Sequence, residues 1–363
     1  MGYTTGSCAT AAAKAALTML LSHRPVHSIT IQLPNGENTR FSIHNRSING
    51  TSAQCAVKKD GGDDPDVTHG LMIFAGVSLN RRKKIVIEGG EGVGKVTKPG
   101  LRIPVNRSAI THTPLKMIRH ELGDILDQYD CHRGVHVVIS VPGGEEIAKR
   151  TFNPKLGITG GISIIGTTGR VKPYSIPAIK KSLLLFLDQA KAQGYSTIVM
   201  VPGNIGENAA HQRYFLGNEQ VIQMSNYIGY MTRKASTKFE KIVILGHPGK
   251  LLKIVLGCFN THSQKSLSPL PFLKGAIRKK KWAKNVFPLI DSLTTVEGII
   301  TQMPIQHRES FFSPMAGKIE KRLVMYTNNN CNIGSVLVNM EGQCIGRGLQ
   351  AKQWEKQGWL KLR

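Results

Sequence analysis

The stretch from Ile158 to Ser175, ITGGISIIGTTGRVKPYS, constrains the fold more than any other part of the chain. Gly161 to Ile165 is short, apolar and rich in β-branched residues, the pattern of a strand buried on both faces. Gly166-Thr167-Thr168-Gly169 then interrupts it, because glycine weakens a strand and leaves backbone N–H groups exposed. Pro173 and Ser175 open a helix predicted over Ile176 to Gln193, with Gly194 as its stop. Strand, glycine turn and helix together place ligands at the carboxyl end of a parallel sheet. An ordinary connecting turn has the same sequence grammar, so this unit needs support from others.

That support comes from the second half of the chain. Thr197 to Val201 reads as a strand ending at Pro202-Gly203-Asn204, and Lys241 to Leu245 as one ending at Gly246-His247-Pro248-Gly249-Lys250. Helices are predicted over Ser225 to Lys238 and Leu251 to Phe259, the second closing at Asn260-Thr261-His262-Ser263. Three buried strands ending in Gly, Asn and His turns predict one ligand-binding edge of one sheet. Leu323 to Gly348 reads as short strands around turns at Asn328-Asn329-Asn330 and Glu341-Gly342.

The first half is different. Thr4, Thr5 or Ser7 caps an Ala-rich helix from Ala9 to Leu21, a potential anion site. Val26 to Leu33 and Thr39 to Ile43 flank Asn35-Gly36 as a hairpin, and further strands are predicted over 52–57, 71–77, 84–88 and 135–141. Thr113 to Tyr129 is an amphipathic helix. The chain therefore reads as an α+β domain over 1–150, a Rossmann-like α/β domain with a largely parallel sheet over 151–304, and a β-rich segment over 305–363.

Several motifs exclude chemistry. Four acidic residues crowd into Asp60 to Asp66, but not at the alternating spacing of a calcium loop. Their partner is a cation, the adjacent Lys58 and Lys59, or ligand hydroxyls, unless the segment is a solvated turn. Gly89 to Lys95 fits the start of a phosphate-binding loop, yet Val96 replaces the Ser or Thr that ligates magnesium, and Pro99-Gly100 forbids the following helix. What remains is a flexible glycine loop with Lys95 and Lys98, suited to closing over an anion. His132 and His136 have helical metal spacing but run into a predicted strand, and six scattered cysteines form no Cys-x-x-Cys pair. No metal site is indicated.

Forty-eight Lys and Arg against 23 Asp and Glu give a net charge of +25, which demands anionic company. Aromatic residues are only 6% of the chain, which argues against base stacking on nucleic acid. The basic run Arg278 to Lys284, with Trp282 inside it, reads as a solvated helix face rather than a nucleic-acid contact. No apolar run is long enough for a membrane span, and the amino terminus lacks a signal-peptide layout. With six free thiols, the expectation is a soluble cytoplasmic protein.

The segments GYTTGSCATAAAKAAL (2–17), CAVKKDGGDDPDVTHG (55–70), EGGEGVGKVTKPGL (88–101), GISIIGTTGRVKPYS (161–175), SNYIGY (225–230) and ILGHPGKLLKIVLGCFNTHS (244–263) carry a resemblance. In this order they resemble the cobalt-precorrin-5B C1-methyltransferase family of anaerobic cobalamin synthesis. The resemblance implies methyl transfer from S-adenosylmethionine to ring carbon C1 of a cobalt-bearing corrinoid, giving cobalt-precorrin-6A. A substrate rich in carboxylates suits a basic protein, and cobalt arriving with the substrate suits the missing metal spacing. Sulfonium methyl transfer needs alignment and water exclusion more than a nucleophilic side chain.

On this reading Gly166, Thr167, Thr168, Gly169, Gly203, Asn204 and Gly246 hold the cofactor, with Asp63, Asp64 or Asp66 at its ribose or sulfonium. Thr4, Thr5, Lys58, Lys59, Lys95, Lys98, Ser225 and Asn226 hold the substrate, and His247 or His262 removes a proton or polarises the ring. Gln264 to Pro271, QKSLSPLP, has no acid where the family usually continues with one, which makes a catalytically altered corrinoid-binding relative the alternative. A basic nucleic-acid-binding protein is the remaining class. A homodimer is compatible with the sequence, which does not decide it.

Overall fold

An alanine-rich helix without a polar face has to sit inside a protein, and the computed structural model places it there. The structure describes residues 1–172, 175–284 and 286–362, so Pro173 lies outside the described residues. The chain divides into two compact units, Met1–Ile176 and Pro177–Arg363. The first thus includes residues 151–176, which the sequence reading assigned to the α/β domain. The segment 305–363 lies within the second unit.

The first unit opens with β1 (Gly2–Tyr3) and α1 (Thr5–Ser22). A hairpin of β2 (Ser28–Gln32) and β3 (Asn38–Ser42) follows, turning at Gly36 with φ +85°, as the Asn-Gly pair predicts. Next come β4 (His44–Asn49), β5 (Ser52–Lys58), β6 (Met72–Asn80), β7 (Ile85–Gly89), β8 (Gly92–Val93) and β9 (Lys95–Val96). The unit is completed by α2 (His112–Gln128), β10 (Gly134–Ser140), α3 (Gly144–Ala148), β11 (Ile158–Thr159), β12 (Gly161–Ile162) and β13 (Arg170–Val171).

Its main sheet runs β4-β5-β6-β10-β7, antiparallel except where β10 lies parallel to β7. Register puts Cys55, Ala75 and Ile139 in one row and Ala53, Val77 and Val137 in another, all buried. These alternate residues share one core with Ala9, Ala12, Ala16 and Leu20 of α1 and with Ile118, Leu122 and Ile125 of α2. Small side chains, alanine above all, along the first three turns of α1 leave room for neighbouring elements to close on it.

The second unit begins one residue into α4 (Ile176–Ala192) and continues with β14 (Thr197–Val201), α5 (Asn204–Arg213), β15 (Val221–Gln223), α6 (Ile228–Ala235), β16 (Lys241–Gly246) and α7 (Pro248–Val255). It continues through α8 (Leu270–Arg278), α9 (Phe287–Ser292), α10 (Val296–Gln302) and α11 (Ile305–Tyr326), and ends with β17 (Asn332–Val338), β18 (Cys344–Arg347) and α12 (Leu349–Lys356). The sheet order is β15-β14-β16-β17-β18, with the first four strands parallel and β18 antiparallel at the edge.

Strands buried on both faces explain the continuous apolar runs. Ile198, Met200, Ile242, Ile244 and Ile333 face one core with α4, α6, α7 and α11. Val199, Val201, Val243, Leu245 and Val336 face a smaller core with α5 and α12. A half-buried ionic network fixes this smaller layer. Glu355 receives Arg213 at 3.0 Å, Arg347 at 2.9 Å and the Tyr214 hydroxyl at 2.6 Å. Trp282, which the sequence placed beside a basic face, stacks on His307 and meets Phe311 edge-on.

Candidate functional site

Thr4 caps α1 through its hydroxyl, which accepts the Ser7 N–H at 3.2 Å. The Gly6 N–H donates to the Ile165 carbonyl at 2.9 Å, and the Thr4 N–H to that of Gly169 at 3.1 Å. The Thr5 hydroxyl accepts the Ile165 N–H at 2.8 Å. Thr4 and Thr5 are buried, and at this helix start the Thr4 and Gly6 N–H groups are spent on the 165–169 turn and the Ser7 N–H on Thr4. Their expected role with substrate carboxylates gives way to a structural one, because protein acceptors already satisfy them.

The same turn corrects the largest sequence expectation. Gly166 to Gly169 does not end a strand of the second unit's sheet. Only Gly161–Ile162 is strand, paired with β8 in the first unit, and Ile164 bonds Ala109 and Thr111 on either side. Gly166, at φ +147°, lies against Thr4, where a Cβ would collide with the threonine side chain. Thr167 and Thr168 are exposed.

The glycine loop is likewise no flexible lid. Gly92 passes so close to Val141 and Gly161 that a Cβ on either glycine would run into backbone. β9 pairs with β11, which fixes Lys95 on an exposed position, and a Cβ at Gly157 would strike the Lys98 side chain. These glycines serve close backbone crossing.

In the acidic loop, buried Lys59 donates to Asp66 at 2.6 Å, and Asp66 also accepts the Thr68 N–H at 2.8 Å and hydroxyl at 2.6 Å. Burial opposes ionisation of Asp66, but Lys59 and Thr68 outweigh it and hold the carboxyl below its ordinary value. Lys59 and Asp66 are therefore engaged with each other. Lys58 and Asp63 are exposed and Asp64 half-buried.

In the second unit the prediction of neighbouring turns holds for two of the three. β14 and β16 are adjacent and parallel, so Gly203-Asn204 and Gly246-His247 leave the sheet side by side, with Gly246 packed on Pro202. An added Cβ at Gly203 would meet nothing within 4 Å. Beside it, Gln223 of β15 donates to Asn204 at 2.8 Å and Glu207 at 2.7 Å. Ser225, at φ +52°, follows β15, and the Asn226 carbonyl accepts the Thr261 N–H at 2.9 Å. This joins the 259–262 loop to the same sheet edge.

Both histidines cap backbone. His247 Nδ1 accepts the Gly249 N–H at 3.0 Å, so that nitrogen carries no proton, and Nε2 lies 2.9 Å from Glu297. The ring has no lone pair left for substrate, which corrects its candidacy as a base. His262 Nδ1 accepts the Gln264 N–H at 3.3 Å, which leaves Nε2–H as a donor. The sequence reading named Lys250 only as the end of the Gly246-His247-Pro248-Gly249-Lys250 turn and gave no role to it or to Glu297, Glu207, Gln223 and Lys253. Only the helical spacing of Lys250 and Lys253 on a helix following a glycine turn pointed to any of them. Among the described residues there is no group of three or more metal-ligating side chains, and no helix is long and apolar enough to cross a membrane.

Two family models match the chain: CbiD over residues 1–173, and the CbiD C-terminal domain over residues 260–348. A cobalt-precorrin-5B C(1)-methyltransferase of Alkaliphilus metalliredigens is 42% identical, with 96% of this chain and 92% of that one aligned. Those of Tolumonas auensis and Geobacillus kaustophilus are each 39% identical, over 95% and 96% of this chain and 92% and 94% of theirs. A crystal structure of the cobalamin biosynthesis protein cbiD from Archaeoglobus fulgidus is 28% identical, covers 72% of this chain and 80% of its own, and gives a TM-score of 0.39. With a relative this similar across nearly the whole of both chains, the protein belongs to the CbiD family, that of the cobalt-precorrin-5B C(1)-methyltransferases.

Proposed function

We propose that this chain methylates ring carbon C1 of cobalt-precorrin-5B, giving cobalt-precorrin-6A, with S-adenosylmethionine as donor. The observation that carries the reading is 42% identity to a curated enzyme of that name across 96% of this chain. The donor's site is the Rossmann-like carboxyl edge of the second unit's sheet. The residues there fit it. The backbone at Gly203 is open, the neighbouring Asn204 and Glu207 offer acceptors to hydroxyls, and the buried Thr261 hydroxyl lacks a partner.

When bound, S-adenosylmethionine supplies an electrophilic methyl group on a sulfonium. The protein's part is to align that methyl with C1 and keep water away. Gly203, Asn204 and Gly246 hold the donor against the sheet edge. His262 Nε2–H is placed to donate to the macrocycle as electron density shifts, a polarising role rather than a basic one. Ser225 and Asn226 border the same edge. The expected home is the cytoplasm.

The test is anaerobic incubation with cobalt-precorrin-5B and methyl-labelled S-adenosylmethionine, with mass analysis of the tetrapyrrole. One labelled methyl on the macrocycle is expected. Recovery of unmodified substrate from folded, cofactor-binding protein would sink the reading in favour of a non-catalytic relative. Asp64→Ala, titrated with S-adenosylhomocysteine, checks the acidic loop. Unchanged affinity removes it from the cofactor site.

A further inference from the structure

Lys253 is only 8% exposed, and its ammonium has no counter-ion among the described residues. It donates to the Thr261 carbonyl at 3.2 Å and the Ser266 hydroxyl at 2.8 Å, both neutral. Ser266 in turn donates to the His262 carbonyl at 2.7 Å, so the 261–266 loop wraps the ammonium with uncharged acceptors. An ammonium has three donors, and these partners use two.

Lys250 lies one turn earlier on α7, half-buried, again with no carboxylate partner among the described residues. Burial and the charge of Lys253 push its ammonium below its ordinary pKa. The acid of α10, a helix packed on α7, is Glu297, and it is bound to His247. The loop from Gln264 to Pro271 supplies none. Inside this loop the Thr261 hydroxyl, on a residue 2% exposed, has no hydrogen-bond partner among the described residues.

Buried charges in folded proteins are paired. Two uncompensated ammoniums beside an orphan hydroxyl are a site for an anion that the polypeptide does not provide. We infer that Lys250, Lys253 and the Thr261 hydroxyl form a carboxylate-binding subsite at the sheet edge, occupied by a reactant. This deepens the proposed function and rests on it. Both reactants carry the required group: the methionyl carboxylate of the donor, and the acetates and propionates of the macrocycle.

The experiment uses the full-length protein and its Lys250→Met and Lys253→Met variants. Each is titrated with S-adenosylhomocysteine, with 5′-methylthioadenosine, which lacks the amino acid carboxylate, and with uroporphyrin as a polycarboxylate tetrapyrrole. If the donor fills the subsite, both variants lose about 10- to 100-fold in affinity for S-adenosylhomocysteine and none for methylthioadenosine. If the macrocycle fills it, uroporphyrin affinity falls instead. Thermal melting without ligand adds a readout that a structural lysine would not give: Lys253→Met removes an unpaired buried charge, so the apo protein should melt higher. Wild-type protein that binds S-adenosylhomocysteine or uroporphyrin, with affinities both variants preserve, overturns the subsite and leaves the function standing. Wild-type protein that binds none of the three probes overturns the methyltransferase reading and the subsite with it.

Discussion

The Gly249 N–H can only donate, so the atom it meets, His247 Nδ1, must accept. A single backbone bond thus settles the tautomer and removes His247 from acid–base duty. His247→Asn keeps an N-cap acceptor and is expected to hold kcat near wild type, while His247→Ala costs about 1 kcal/mol of stability by denaturant titration. Collapse of kcat in folded His247→Asn protein would return the ring to the chemistry. Lys59 and Asp66 make a second residue-scale prediction. Their pair buries an ammonium that is 1% exposed, so Asp66→Asn should cost about 3 kcal/mol. The carboxyl is held below its ordinary value, so its contribution is complete above about pH 4 and is lost as pH falls through the lowered value. Acid unfolding curves should show this stability loss in wild type and not in Asp66→Asn.

At the scale of elements, glycine does opposite things in neighbouring structures. Gly92, at φ +69°, lets β8 pass against Val141 and β12, and a methyl group there meets backbone that cannot move aside. Gly92→Ala should therefore destabilise by about 3 kcal/mol or more. Gly123 sits inside α2 with nothing within 4 Å of an added Cβ. Gly123→Ala should stabilise by about 0.5–1 kcal/mol, since helix propensity is all that changes. Melting both variants separates close crossing from mere flexibility. The hairpin, α1, α2 and most strands of both sheets, though not β4 or β15, were legible because hydrophobic period and turn residues act locally. Helix α5 was not. Its apolar positions are few and its sequence, NIGENAAHQR, reads as a loop until the sheet supplies a surface for Ala209 and Ala210.

For the whole molecule, a charge of +25 is a property of the chain and an attraction for a substrate bearing many carboxylates. If that attraction guides encounter, kcat/KM should fall as salt rises from about 20 mM to about 300 mM, while kcat changes little. A flat salt profile would restrict the charge to solubility. Each unit owns a separate hydrophobic core, with the first centred on α1 and the second on a sheet covered on both faces. The sequence reading gave Gly161 to Ile165 to the second sheet, whereas Ile162 and Ile164 lie in the first unit's core, because an apolar run followed by a glycine turn looks the same in either.

The order of residues alone was enough to place the family and a mixed α/β fold with parallel strands, since these follow from local periodicity and from motifs read in sequence. It also pointed to Gly203 and Gly246 as neighbours, since strands of one parallel sheet end at one edge. Tertiary structure alone decided which donors were already spent. Thr4, Thr5, Lys59 and Asp66 have the right chemistry for a ligand, but their hydrogen bonds go to partners within the protein. Lys253 looked like an ordinary helical lysine, and burial without a counter-ion makes it the opposite case. Residue type tells what a side chain is able to bind, whereas only packing shows whether that capacity has been used.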